Sequence, residues 1–385
     1  MRIAYVTETY PPELNGVALT VERTVRHLRE RGHQVGLVRP RQAGETALDD
    51  DDELRTAGCP IPMYAELRFG LASAGTLRER FERTRPEIVH VATEGPLGWA
   101  ALRAAQALGL PVSSDFRTNF HQYSRYYGLG WLSPVVCDYL RRFHNQTQRC
   151  FVPTDATRRQ LNDAGFERLE VVGRGVDTRQ FSPDKRSEAL RRRWGAEEGP
   201  VLLYVGRLAA EKNVTLALCA FEAVRLRVPS ATMVVVGDGP SRRKLCAQFP
   251  AAQFVGVQRG DALARHYASA DLFLFPSISE TFGNVTLEAL ASGLPVVAFD
   301  TAAAAEHVDD CGNGLLAPVG DEHGFIAAAC SLAWQHRHLG QVRHRAREAA
   351  LKANWHEVLS RFEARLADTA TQHAGRVAAG AALVA

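Results

Sequence analysis

Short apolar runs rich in Val, Ile and Leu alternate along the chain with longer segments whose apolar residues recur at helical spacing. The runs predict strands at IAYVTE from Ile3, QVGLVRP from Gln34, EIVHVAT from Glu87, PVSSDF from Pro111, CFVPT from Cys150 and LEVVGRG from Leu169. A second series follows: VLLYVGR from Val201, ATMVVVGDG from Ala231, QFVGV from Gln253, LFLFPS from Leu272, PVVAF from Pro295 and NGLLAPV from Asn313. Between them lie helical patterns such as VERTVRHLRERG, in which Val21, Val25 and Leu28 share a face. Continuous apolar strands alternating with helices predict parallel sheets buried on both sides. One sheet would hold too many strands, so the expectation is two doubly wound α/β domains. The break falls in residues 173–200, a stretch rich in Gly, Pro and charge without strand patterning. Near the end, NWHEVLSRFEARL carries Trp355, Val358, Leu359, Phe362 and Leu366 at helical spacing and is expected to pack on the body of the protein.

Composition changes this picture little but excludes several classes. At 385 residues the chain is long enough for two domains. A net charge of +3 gives no reason to expect a nucleic acid partner. No apolar run reaches the ~20 residues of a membrane span. The start, MRIAYVTETYPP, lacks the apolar core of a secretion signal, so a cytoplasmic protein is expected. Seven scattered cysteines without a CxxC predict reduced thiols, neither a disulfide framework nor a zinc site. The acidic run DDDDE at residues 49–53 reads as a solvated loop.

In open α/β sheets ligands bind at the carboxyl ends of strands, so the chemistry is sought at each strand exit. Gly16 follows the first strand and precedes a helix, where a bare backbone could approach a phosphate; taken alone, the reading as a turn glycine prevails. The exit VGRLAAEKN places Arg207 and Lys212 in one loop, two cations that suit a diphosphate or form an ordinary surface pair. The next exit, VVVGDGPSRRKL, is a tight turn and lacks the GxGxxG fingerprint. In SETFGNVTLE, Glu280 precedes a helix start at FGN and Glu288 lies about one turn inside that helix, where it reads otherwise as a helix-surface charge. A carboxylate beside an anion site repels phosphate but accepts from hydroxyls. The arrangement therefore fits a diphosphate flanked by polyols, which is a nucleotide sugar.

The E-x7-E pair Glu280/Glu288 followed by ALASGLPVVA, with GRLAAEKN, GDGP, RGVDTRQFSP and PPELNGV in the same order, resembles the retaining glycosyltransferases of family 4. The resemblance runs from residue 1 to about 365 and implies the GT-B fold, two Rossmann-like domains facing a cleft. It implies an acceptor-binding domain at 1–175, a nucleotide-sugar-binding domain at 176–354, and a terminal helix at 355–385 packing back on the first. It implies that Arg207 and Lys212 hold the diphosphate and that Glu280 accepts from the donor sugar. Phe282, Gly283, Asn284 and Val285 would line the donor with backbone groups, Glu288 would accept from the ribose, Val257 would lie by the base and Gly16 would close on the phosphates. Asn15, Thr118 and Asn119 would meet the acceptor. Many relatives carry a His-Thr pair where this chain has Arg117 before Thr118; arginine cannot act as a base near neutral pH. If that histidine serves by hydrogen bonding or charge, Arg117 can keep the role; if it removes a proton, Arg117 cannot, and His121 is a weak candidate substitute.

No metal is implied: the cations and the helix N-terminus take its place, and DDDDE lacks the strand context of a metal-binding DxD. SSDFRTNFHQYSRYYGLGWL is most similar to GDP-mannose-dependent α-mannosyltransferases and to sugar transferases acting on diacylglycerol. Mannose is thus the favoured sugar, a UDP-sugar transfer to diacylglycerol the alternative, and a lipid or glycolipid hydroxyl the expected acceptor. The basic segment YLRRFHNQTQR (139–149) reads as a solvated helix face, with contact to an anionic membrane as the second reading. A non-catalytic nucleotide-sugar-binding protein is the rival from another class. An epimerase would need acid and base carboxylates in the first domain, where the sequence offers no clear pair.

Overall fold

The computed structural model describes residues 1–13, 16–42, 44–61, 64–116, 133–278, 280 and 282–384. These fall into two compact units, one of Met1–Gly173 with Leu359–Ala385, the other of Arg174–Val358.

The first unit carries β1 (Arg2–Val6), β2 (Gln34–Pro40), β3 (Leu48–Asp49), β4 (Glu53–Ile61), β5 (Tyr64–Leu71), β6 (Ile88–Val91), β7 (Val112–Asp115), β8 (Arg149–Val152) and β9 (Leu169–Val171). The strand order is β3-β4-β2-β1-β6-β7-β8-β9, with β5 paired to β4. From β2 through β1 to β9 the pairings are parallel. The order reverses between β1 and β6. Successive residues of β1 serve opposite faces, as strand geometry requires. Ala4 and Val6 join one core with Leu97 and Leu102, while Ile3 and Tyr5 join another with Val21, Val25 and Leu28. Phe362 and Leu366 of the final helix, Trp355–Val384, complete that second core.

The second unit holds β10 (Val201–Val205), β11 (Thr232–Val236), β12 (Gln253–Gly256), β13 (Leu272–Phe275), β14 (Val296–Phe299) and β15 (Gly314–Ala317). Their order is β12-β11-β10-β13-β14-β15, parallel throughout. Here the reversal lies between β10 and β13. Every residue of β10, β13 and β14 is buried, which is why these strands read as unbroken apolar runs.

Each predicted strand is present. The strand signal gives nothing between Pro40 and Glu87, yet β3, β4 and β5 lie there. Gly58 and Pro60 interrupt β4, and its alternation is confined to Leu54 and Thr56 pointing inward, so the pattern is masked. The acidic run forms the tight β3–β4 connection. Asp49 to Asp52 are exposed as expected, but Asp49 also pairs with the buried Arg80 at 2.7 Å and with Arg83 at 2.5 Å, tying the connection to the Ala74–Thr84 helix.

Candidate donor and acceptor sites

The exit of β10 runs through Gly206 and Arg207 into a 3-10 turn, Ala210–Lys212, and then the Val214–Arg225 helix. The GDGP turn after β11 stacks directly on this exit. Leu208 N–H donates to the Asp238 carbonyl at 2.9 Å, and Ser241 N–H donates to the Leu208 carbonyl at 2.9 Å. A Cβ on Gly237 would lie 1.9 Å from the Gly206 carbonyl oxygen, and one on Gly239 would lie 2.5 Å from that of Leu208. The glycines thus shape the β10 exit through close backbone approach, a role beyond that of an isolated turn.

Arg207 is half-exposed, with Glu211 3.8 Å away. Lys212 is mostly buried and forms an ion pair with Glu280 from the β13 exit, whose side chain is 14% exposed. The two loops singled out by their sequence therefore meet at the point where the strand order reverses, the position at which doubly wound sheets bind ligands.

Beyond Glu280, Phe282 is buried and its carbonyl accepts from Ala303 N–H at 2.7 Å. Gly283 sits at φ 88°, a left-handed cap, and the Asn284–Ala291 helix follows with its first N–H groups at the same end of the sheet. Val285 lies in its first turn. Glu288, one turn in, accepts from the Tyr267 hydroxyl at 2.9 Å, and burial beside this carboxylate raises the tyrosine well above its usual value. Val257 follows β12 and is half-exposed. Ser277, which no sequence motif marks, is buried with a hydroxyl lacking a hydrogen-bond partner. It lines a cavity of about 10 Å³ shared with Glu280 and Thr301. Its only sequence signal is its place at a strand exit.

In the first unit Gly16 opens the Gly16–Glu30 helix, and its carbonyl accepts from Thr20 Oγ1 at 2.7 Å. Glu13, just before it, is buried and takes hydrogen bonds from Thr9 and Gln42. Asn15, Arg117, Thr118, Asn119 and His121 lie outside the described residues. The exits of β1 and β6 carry a feature that the sequence does not disclose, since it offers no clear carboxylate pair there. Glu8 and Glu94 are both buried, on the strands that flank the order reversal. Burial pushes Glu8 up to about 7, partly offset by hydrogen bonds from Leu97 and Gly70. Burial pushes Glu94 up to about 8, partly offset by a hydrogen bond from its own backbone N–H, with the negative charges of Glu8 and Asp115 adding to the rise. The two carboxyls are far apart in the chain, so only the strand order reveals them.

His90 lies between Ser113 (3.0 Å) and Asp115 (3.1 Å), a Ser-His-Asp alignment. It is fully buried among Tyr5, Phe151 and Phe362, with no room for a substrate, and is a core hydrogen-bond network. Among the described residues no cluster of His, Cys, Asp or Glu has the arrangement of a metal site, and no helix is long and apolar enough to cross a membrane. Arg141 and Arg142 of the basic segment each pair with Asp138 at 2.8 Å on the surface of the Ser133–His144 helix.

Residues 14–180 match the family model for glycosyltransferase family 4, and residues 199–334 match that for glycosyl transferases group 1. The chain is 34% identical to a GDP-mannose-dependent alpha-mannosyltransferase of Mycobacterium tuberculosis, covering 94% of this chain and 97% of the relative. It is 30% identical to an alpha-monoglucosyldiacylglycerol synthase of Streptococcus pneumoniae, over 77% of this chain and 71% of that protein. A crystal structure of Anabaena Alr3699/HepE in complex with UDP shares the fold with a TM-score of 0.73 at 17% identity, covering 96% of this chain and all of that one. With two Rossmann-like units of GT-B architecture and similarity along nearly its whole length, the chain belongs to glycosyltransferase family 4.

Proposed function

We propose that this enzyme transfers a hexosyl group, with mannose favoured and GDP as the carrier, to a hydroxyl of a lipid or glycolipid, with retention at the anomeric carbon. The relatives named above support the sugar and the acceptor class. The observation that carries the site is the convergence of Arg207, Lys212, Glu280 and the Asn284–Ala291 helix N-terminus at one strand-order reversal.

Each group has a role that follows from its chemistry. Arg207, Lys212 and the helix N–H groups stabilise the negative charge that grows on the departing diphosphate. Glu280 accepts from hydroxyls of the transferred sugar, and Glu288, oriented by Tyr267, accepts from the ribose. Phe282, Gly283, Asn284 and Val285 hold the donor through backbone groups, and Val257 lies by the base. The bond from the anomeric carbon to the diphosphate breaks, the acceptor oxygen bonds to that carbon, and the acceptor proton passes to the leaving phosphate. In the first unit, Gly16, Asn15, Thr118 and Asn119 serve donor closure and acceptor binding, and Arg117 supplies charge without acting as a base. A lipid acceptor would bring the enzyme to a membrane surface.

The test is Arg207→Ala and Lys212→Ala, assayed by GDP release from GDP-mannose with and without acceptor lipid. Each change is expected to reduce turnover by roughly 10²–10³. Turnover within a few-fold of wild type in both variants would refute the diphosphate assignment. Release of no nucleotide under any condition would identify a binding protein, and stronger turnover of UDP-glucose would move the donor to the alternative.

A further inference from the structure

Glu8 and Glu94 occupy the ends of neighbouring central strands, but only one of them is fully engaged. The Glu8 Oε1 accepts from Leu97 N–H at 3.0 Å and from Gly70 N–H at 3.3 Å. Its carboxyl lies so close over Gly95 that a Cβ there would come within 1.7 Å of Oε2. Glu8 therefore caps the Pro96–Ala107 helix from the β1 exit. Glu94 is only 6% exposed, and its Oε1 is sealed from solvent without any hydrogen-bond partner. Buried polar atoms in that state are few in native proteins, and a ligand that completes them is one explanation. The indole Nε1 of Trp99 is also buried and is directed at the Tyr139 hydroxyl. Between the two stands Tyr139, whose hydroxyl donates to the Glu94 backbone carbonyl at 2.7 Å and whose ring lies 5.9 Å from that of Trp99. Tyr139 is 41% exposed, so the aromatic shelf has an open side.

We propose that Glu94, Trp99 and Tyr139 form a subsite for a sugar or polyol ring, hydrogen-bonded by the carboxyl and stacked on the aromatic shelf. The subsite deepens the hexosyl-transfer reading and rests on it for the occupant's role, which is the polar head of the acceptor. A polyol presents hydroxyls that both donate and accept, along with a C–H face that packs on aromatic rings. A carboxyl that keeps its proton near neutral pH also donates and accepts, which suits hydroxyls. An ammonium ligand would require the carboxylate form and would approach an indole over which Arg103 already places its guanidinium, 6.0 Å from the ring centroid. Glu8, bound to the helix N-terminus beside Glu94, positions the pair and does not itself touch the ring.

The test uses the full chain with octyl α-D-mannopyranoside as neutral probe and octyltrimethylammonium as cationic control, read by tryptophan fluorescence and saturation-transfer NMR. Wild type is expected to bind the glycoside in preference to the cation. Glu94→Ala should weaken glycoside binding by about tenfold. Glu94→Gln, which keeps a donor and an acceptor, should stay within about threefold. Trp99→Leu should cost about fivefold. If Glu94→Ala does not fold, Trp99→Leu and Glu94→Gln decide. Equal glycoside binding in wild type and all folded variants, preference for the cation, or no glycoside binding by wild type would each overturn the subsite. GDP affinity, measured on the same variants, should remain within about twofold of wild type. Loss of the expected GDP defect in Arg207→Ala, with glycoside binding intact, would refute the donor reading and leave the subsite standing.

Discussion

Glu280 and Glu288 belong to one short segment, yet their surroundings differ. Glu280 is paired with Lys212, and Glu288 is held by a buried tyrosine. A contact to the transferred sugar strengthens as charge develops on the ring, whereas a ribose contact is made equally before and during the reaction. Glu280→Gln is therefore expected to lower kcat more than Glu288→Gln, and Glu288→Gln to raise the donor KM more. Titration with GDP separates the two further. Glu288→Gln should weaken GDP binding, whereas Glu280→Gln should leave it intact or tighten it, since GDP has no sugar to meet and loses a competitor for Lys212. The reverse pattern would invert the assignment. The candidate residues at these exits are legible in the sequence because their charge and their place at strand ends single them out. Their partners are not: nothing in the sequence links Lys212 to Glu280 across 68 positions, or Tyr267 to Glu288. Glu8 and Glu94 stay hidden for the same reason, since each looks like a surface acid until the sheet order brings their strands together.

At the level of elements, the strands and the main amphipathic helices can be read from period and composition, because a parallel sheet covered on both faces leaves long apolar runs. The β4–β5 hairpin cannot, since Gly and Pro punctuate it and Ala57, Cys59 and Pro60 are exposed. The GDGP turn reads as a turn, but its stacking on the neighbouring exit depends on tertiary contact. The FGN helix start is legible, and its geometry makes a prediction. Gly283 at φ 88° caps the Asn284–Ala291 helix, and a Cβ there would meet nothing closer than 3.6 Å. Gly283→Ala should therefore cost about 1 kcal/mol of stability through backbone strain alone. Because relaxing that strain would turn the helix N–H groups, turnover should fall by more than the stability loss explains. Thermal unfolding and steady-state kinetics on the same preparation check both parts.

For the whole molecule, the buried carboxyls set a direction with pH. Glu8 and Glu94 have an ordinary value of 4.5 and folded values of about 7 and about 8. Through these two groups the folded chain holds more protons than the unfolded one between those limits, so their contribution to stability falls as pH rises and levels off above about 8, whereas buried His144, held down to about 3, acts in the opposite direction below about 6.5. A tenfold change in proton affinity is worth about 1.4 kcal/mol, so Glu94 accounts for a few kcal/mol over the window. Glu94→Gln should flatten this decline, raising the midpoint relative to wild type at about pH 8.5 and leaving it nearly unchanged at about pH 4.5. Parallel Tm–pH curves for the two proteins would contradict the assignment. A separate expectation concerns metal: turnover should survive EDTA, because in the proposed mechanism Arg207, Lys212 and the helix N-terminus supply the positive charge. Loss on chelation with recovery by magnesium or manganese would overturn it.

The ion pair between Lys212 and Glu280 also bears on how a catalytic cycle ends. In this structure each serves as the other's counter-charge. A diphosphate that claims Lys212 strips Glu280 of its cation, and only a ligand that also brings sugar hydroxyls compensates the carboxylate. The intact donor meets both demands; the spent nucleotide meets one. In the proposed donor site, Glu280 would compete with the diphosphate for Lys212 once the hexose has left, and so would help to expel the product. Selection of the intact donor and weak product inhibition would then have a common origin in one salt bridge.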